Sequence, residues 1–294
     1  MRIADSMIYS AADTSVGAAR SKVTELTAEA SSGLAVVQPG DNPAAAAGVV
    51  IDSAAGAYAT AVSSSATAAV GELSIADSAL NTVTNAISQA SQLAVQLANS
   101  SYDATDRQNG ATEAGQVLQE VISALNVQSG DRYVFGGTQD SSPPFDASGN
   151  YLGDTGVRTI EVAPGVQQAT SVRADVAVTG VGGGVNVLSA ISSLQTALQN
   201  NDVDGINTAI GALQTGLAQV ATLRSQVGAD QDALQAASTV ATAASTAETN
   251  SVSTLQGADV VDASTQLELA QTALQAAVTA STQSFKFSLL DPNG

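Results

Sequence analysis

The residues best spaced for metal chemistry are Asn200-Asn201-Asp202-Val203-Asp204-Gly205, whose alternating side-chain oxygens resemble the front of a calcium loop. Such a loop opens on an acidic ligand and closes on a bidentate Glu at its twelfth position. Here the first position is Asn200 and the closing position holds Gly211. The segment therefore reads as a turn whose acidic residue caps the following helix. Asp230 and Asp232 could form an acid/base pair, but residues two apart on a helix point to different sides. Gly182-Gly183-Gly184 lacks the following Gly-Lys-Ser/Thr of a phosphate loop and reads as a linker. Asn99-Ser100-Ser101 is a formal glycosylation sequon, a pattern common by chance. The chain has no Cys and no His, which removes disulfides, Cys/His zinc sites, thiol nucleophiles and Ser-His-Asp triads together. With the remaining carboxylates scattered, no catalytic, metal or cofactor-binding set emerges, and the expectation is a protein that is not an enzyme and uses no cofactor.

Composition points to packed helices instead. Hydrophobic residues make up 44% of the 294 residues but aromatics only 3%, so a core must come from Ala, Val and Leu on close-packed helices. The formal charge of −18 argues against nucleic acid, which needs clustered Lys and Arg, and against an anionic membrane surface. The start, MRIADSMIYSAADTS, has no apolar run of signal-peptide length, so export would use a route that cleaves no leader. No stretch approaches the ~20 apolar residues of a membrane span.

The elements follow from period. Val16, Ala19, Val23, Leu26 and Ala30 step by three and four, one helical stripe at heptad spacing, which Ile3 and Met7 extend. Ser31-Ser32-Gly33 interrupts it, and Gln38-Pro39-Gly40-Asp41-Asn42-Pro43 is a turn. A second helical region runs from about 44 to 101, best between Leu73 and Leu97; a loop covers Asn99 to Asp106, and a shorter helix carries Val117, Val121 and Leu125. At Ser129 the character changes. Arg132-Tyr133-Val134-Phe135 is bracketed by Gly, Thr159-Ile160-Glu161-Val162 alternates, and Val172 to Val178 alternates as well, with turn signals between them. These predict a small β-domain over 131–179 with Gly180 to Gly184 as its exit hinge. Helical pattern resumes at Val187, Ile191, Leu194 and Leu198, and again from Ile206 to Val227 with Arg224 in the seam. The last stripe is Val260, Ser264, Leu267, Gln271, Leu274, Val278, Ser281 and Phe285, closed by Leu289 and Leu290.

The predicted fold is mainly α with a small β insert: a long antiparallel helical bundle from both termini plus a compact β-domain. Its expected parts are an N-terminal coiled-coil arm (1–43), a first bundle half (44–130), a β-rich outer domain (131–184), a second bundle half (185–255) and a C-terminal arm (256–294). Alone, each end buries too little to stay ordered. The candidate assembly interface is therefore Ile3, Met7, Val16, Ala19, Val23, Leu26, Ala30, Val260, Leu267, Leu274, Val278, Phe285, Leu289 and Leu290.

Met1-Arg2-Ile3, Tyr9, Ser31-Ser32-Gly33 and Pro39-Gly40-Asp41-Asn42-Pro43-Ala44-Ala45 together resemble the N-terminal signature of the flagellin superfamily, and Val260 to Leu290 is similar to its C-terminal helix. Within that superfamily, Gly130-Asp131-Arg132-Tyr133-Val134-Phe135-Gly136-Gly137-Thr138 leading to Pro143-Pro144-Phe145 resembles the hook-filament junction family, the hook-associated proteins 3; so does the Leu289-Leu290-Asp291 ending. The resemblance implies a structural axial component of the bacterial flagellum, an adaptor joining hook to filament, secreted to the extracellular flagellum through the type III export apparatus. The implied partners are other copies of itself in a ring or helical assembly, a neighbouring hook-associated protein, flagellin, and a cytoplasmic export chaperone. The alternative is a short filament flagellin that polymerises on itself.

Overall fold

The computed structural model describes the backbone of residues 2–290 and the side chains of residue 7 and residues 9–283. Among the described residues the order is α1 (Arg2–Ser32), α2 (Pro43–Leu97), α3 (Ala104–Leu125), β1 (Gln128–Ser129), β2 (Arg132–Tyr133), β3 (Thr159–Ala163), β4 (Val166–Ala169), α4 (Ala174–Val178), α5 (Val187–Gln199), α6 (Val203–Gln256) and α7 (Val260–Leu290). The chain divides into a terminal unit, residues 1–58 and 244–294, and a central unit, residues 59–243.

The central unit is built on strict heptad spacing. Along α2, Ala59, Val62, Ala66, Ala69, Leu73, Ala76, Leu80, Val83, Ile87, Ala90, Ala94 and Leu97 step three and four without a break, and all are buried. On α6 the buried residues Ile206, Leu213, Val220, Val227, Leu234 and Ala241 recur every seven. Within this unit α2 and α6 run antiparallel, because Ser63 meets Thr242 (2.9 Å) while Asp77 meets Arg224 (2.9 Å), fourteen residues later on one helix and eighteen earlier on the other. The seam position of Arg224 thus holds an ion pair, completed by a hydrogen bond to Asn81 Oδ1 at 3.0 Å. Helix α3 starts at a reciprocal cap. The Asp103 carboxylate accepts the N–H of Thr105 and Asp106, and the Asp106 carboxylate accepts that of Asp103. The Asn200–Gly205 segment is the expected turn, with Asp202 Oδ1 accepting the Gly205 N–H at 3.0 Å.

The β insert is smaller in sheet than its alternation suggests. It holds two antiparallel two-stranded sheets, β1 with β2 and β3 with β4. The alternating run Val172–Val178, expected as a strand, folds as the single turn of α4. Ala174, Ala177 and Val178 point inward at helical spacing, the Asp175 carboxylate takes the Arg173 guanidinium at 2.7 Å, and the Thr179 N–H closes on the Asp175 carbonyl at 2.9 Å. A buried face at i, i+3 and i+4 overrides a period-2 reading in so short a segment. The insert shares the helices' core: Val134, Phe135, Phe145 and Val172 pack in one cluster with Leu80, Leu125, Leu188 and Leu213.

In the terminal unit, α1 ends at Gly33, which takes φ +69 and donates its N–H to the Glu29 carbonyl at 2.9 Å. Asp41 then holds the turn through the N–H groups of Val37 (3.0 Å) and Gln38 (2.7 Å). Helix α2 opens with Pro43 at its first position, after Asn42 has accepted the Ala45 N–H at 3.1 Å. Helix α2 also contains an 18-residue window of mean hydropathy 1.4, long and apolar enough by length and composition to cross a membrane. This corrects the expectation that no stretch approaches that limit. Closely spaced Ala and Val raise the mean even where polar residues interrupt the run.

Candidate assembly interface

Helices α1 and α7 are each 31 residues long and pack on one another. They run antiparallel from a shared end, where the Ala35 N–H donates to the Gln256 carbonyl (2.7 Å) and the Ala258 N–H to the Gly33 carbonyl (2.9 Å). On α1, the predicted stripe residues Val16, Ala19, Val23 and Ala30 are half-buried and Leu26 is buried. On α7, Leu267 and Leu274 are half-buried, while Val260 and Val278 stay exposed. Met7 is 65% exposed. Ile3, Phe285, Leu289 and Leu290 have side chains outside the described residues.

The covered row of α7 is Ala263, Leu267, Ala270, Leu274, Ala277 and Ser281, again at heptad spacing. Sequence reasoning placed Leu267 and Leu274 in the seam but paired them with Ser264, Gln271 and Val278, the row on the other side. The available signal was three alanines seven residues apart. A row of Ala lets the α1 backbone approach, whereas Gln or Val would hold it off. Once α1 is seated, Val260, Ser264, Gln271 and Val278 stay exposed beside the seam, with the exposed Glu268 between Ser264 and Gln271.

Burial within the terminal unit is slight. Among its described residues only Leu26, Val36 and Ala263 are buried. Full burial of a Leu contributes about 1.5–3 kcal/mol, and fixing the backbone of each residue costs about 1–2 kcal/mol. Two helices of this length therefore depend on further contacts for rigid order.

The segment from Tyr133 to Phe145, the most distinctive stretch of the sequence, has a different fate. Val134, Phe135 and Phe145 are buried, and Asn126 brackets Phe145 by donating to its carbonyl (2.9 Å) and accepting its N–H (3.0 Å). Gly136 and Gly137 are required by crowding. A Cβ on Gly136 would meet the Gln139 carbonyl, and Gly137 takes φ +73 against Asp154. Asp154 accepts the Thr138 hydroxyl and then its N–H at 2.8 Å, which hold the carboxyl below the usual carboxylate range. Tyr151 donates to the carbonyls of Phe135 (3.1 Å) and Asp154 (2.8 Å). Burial first, then the carboxylates of Asp175 and Asp154, push its phenol up to about 12.

Charge clamps this insert to α2. Arg158 pairs with Glu72 of α2 and with Asp140 at 2.7 Å, and Arg132 lies 3.9 Å from Glu72. A second polar joint centres on Arg107 of α3, which is buried. It donates to the Leu97 and Asn99 carbonyls (2.9 and 3.0 Å) that end α2, and to Asn201, whose φ is +54. Neither Arg107 nor Glu72 stood out in the sequence, because each acts through residues far along the chain.

Comparison with known proteins accords with this arrangement. The bacterial flagellin N-terminal helical region matches residues 3–140, and the bacterial flagellin C-terminal helical region matches residues 208–291. Flagellar hook-associated protein 3 of Salmonella typhimurium is 27% identical over 251 residues, covering 78% of this chain and 79% of that protein. The Escherichia coli protein of the same name is 25% identical over 312 residues, covering 96% of each. In fold, the chain is similar to the flagellar hook associated protein-3 of Legionella pneumophila, with a TM-score of 0.58, 14% identity, and coverage of 67% of this chain and 96% of that one.

Proposed function

The chain belongs to the flagellin family, and on that premise we propose that it is a structural axial component of the bacterial flagellum, the adaptor that joins hook to filament. The observation that carries this reading is the end-to-end likeness to a flagellar hook-associated protein 3, across 96% of both chains. The Tyr133–Phe145 segment that marks the same family is built into the core here. It acts as framework for the central unit, so the contacting surfaces lie elsewhere.

The terminal unit supplies them. Its helices carry heptad seams, bury few of their own residues, and leave Met7, Val260 and Val278 open to other subunits. The adaptor works by geometry and not by catalysis: one face of a ring of copies fits the hook side and the other fits flagellin. Export proceeds through the flagellar type III apparatus, with a cytoplasmic chaperone covering the C-terminal arm until assembly.

A deletion strain tests the reading. Intact hooks with filament protein shed into the medium, and filaments restored by the wild-type gene, are the expected result. Spontaneous growth of the purified chain into long filaments would instead identify a filament flagellin.

A further inference from the structure

Within the central unit, α2 and α6 meet in two different ways. At the Arg224 level the contact is a fixed fork. Arg224 Nε donates to Asp77 Oδ1 (2.9 Å), Nη2 to Asp77 Oδ2 (3.3 Å) and Nη1 to Asn81 Oδ1 (3.0 Å), a planar arrangement with a single geometry. The apolar residues beside it are large, and Leu73, Leu80, Leu213 and Val220 share a cluster with α3, α5 and the insert. Toward the start of α2 the contact changes. Buried Ala59, Val62, Ala66 and Ala69 there face α6 where Leu234, Ser238 and Ala241 are buried, and Ala59, Val62 and Ala241 stand outside that cluster.

Four hydroxyls line this second stretch. Ser63 Oγ lies 3.1 Å from Ser238 Oγ and 2.9 Å from Thr242 Oγ1, one turn apart on α6. Ser238 Oγ in turn lies between Ser63 and Thr67, one turn apart on α2, with Thr67 Oγ1 at 3.2 Å. Thr67 and Thr242 donate to the Ser63 and Ser238 carbonyls of their own helices (2.8 Å each), so toward the serines their oxygens are acceptors. Each serine proton thus has two acceptors at similar distance, and a hydroxyl rotates to whichever is nearer. We infer that residues 59–69 and 234–242 form a shear joint, where α2 and α6 slide along one another while staying hydrogen-bonded and so let the pair bend about the Arg224 fork. A long helix curves easily, but two helices packed 8–10 Å apart bend together by about 10° only if one slides about 1.5 Å along the other. Large interlocked side chains resist that slide, whereas alanines and exchanging hydroxyls permit it. Resting on the adaptor reading above, the joint gives each copy the compliance to sit between hook and filament.

The test uses the purified full chain. Exposed Ser65 and Val240 span the joint, and exposed Asn85 and Ala221 span the fork level. Genetically encoded spin-labelled amino acids at each pair report the spread of distances by double electron–electron resonance. The joint pair should be broader than the fork pair by about 1.5 Å, the slide that the bend requires. Because the chain has no Cys, Ser63→Cys combined with Ser238→Cys adds a single oxidisable pair. Disulfide formation, confirmed by mass, should narrow the joint distribution to the fork width, and reductant should restore it. Equal spreads at the two levels in the chain without cysteines would overturn the joint, a result that does not depend on how the cysteine variant folds. A joint spread unchanged by oxidation would overturn it as well. These outcomes are read on the isolated chain, so they leave the filament-shedding test of the adaptor reading to stand or fall by itself.

Discussion

The two units use the same heptad pattern to opposite ends. In the central unit the heptad row on α2 from Ala59 to Leu97 meets partners in its own chain and is buried. In the terminal unit the rows on α1 and α7 are equally regular, yet three described residues are buried there. The difference lies in how many helices share the space. The central unit adds α3, α5 and the insert around α2 and α6, so the apolar rows find neighbours. Among the described residues the terminal unit shows no such additional layer, and a helix covered on one side keeps its other side open. A regular seam therefore says that a helix will pack, while the number of surrounding elements says whether the partner comes from the same chain.

This contrast can be broken most directly by truncation. Removing residues 1–40 or 256–294 should abolish incorporation into the flagellum while the central unit keeps a cooperative thermal transition. Retained incorporation, scored by motility and by hook-particle composition, would break the division of labour. Next in size, Leu80→Ala should cost about 2–5 kcal/mol in urea unfolding, because Leu80 is fully buried. Leu269→Ala in the terminal unit should stay within about 0.5 kcal/mol, because Leu269 is exposed. Equal losses would mean that the terminal unit is packed in the free chain. Arg107→Ala should cost about 1–3 kcal/mol by stranding the Leu97 and Asn99 carbonyls.

A loss smaller than that at Arg107 sharpens the comparison through pH. Tyr151 has its phenol raised to about 12, so the folded state favours the protonated form. That contribution is fully present below the ordinary phenol range near 10 and is lost as pH rises from there toward 12. Tyr151→Phe should cost about 0.5–1.5 kcal/mol at neutral pH and remove the part of the alkaline loss that Tyr151 causes, read from urea midpoints across that interval. Asp154 works in the other direction. Its lowered carboxyl contributes above the usual carboxylate range and loses that contribution on acidification.

Much of this molecule was legible in order along the chain. The break at Gly33, the turn held by Asp41, the capping Asp202 and the α1 stripe through Leu26 each rest on local chemistry, and each stands where period and turn residues place it. Two features lie beyond what local pattern decides. Val172–Val178 alternates, but tertiary burial of Ala174, Ala177 and Val178 makes it a helical turn. The α7 seam could lean to either side of Leu267 and Leu274, and only the approach of α1 selects the alanine row.

Sequence alone determined the helical character, the absence of Cys and His chemistry, and the family likeness, since these depend on residue type and spacing within a few turns. Tertiary structure decided which rows are spent. Glu72 with Arg158 and Arg107 with Asn201 join residues distant in the chain, and whether an apolar row is buried depends on what packs beside it. That is information about neighbours, and periodicity along one helix cannot contain it.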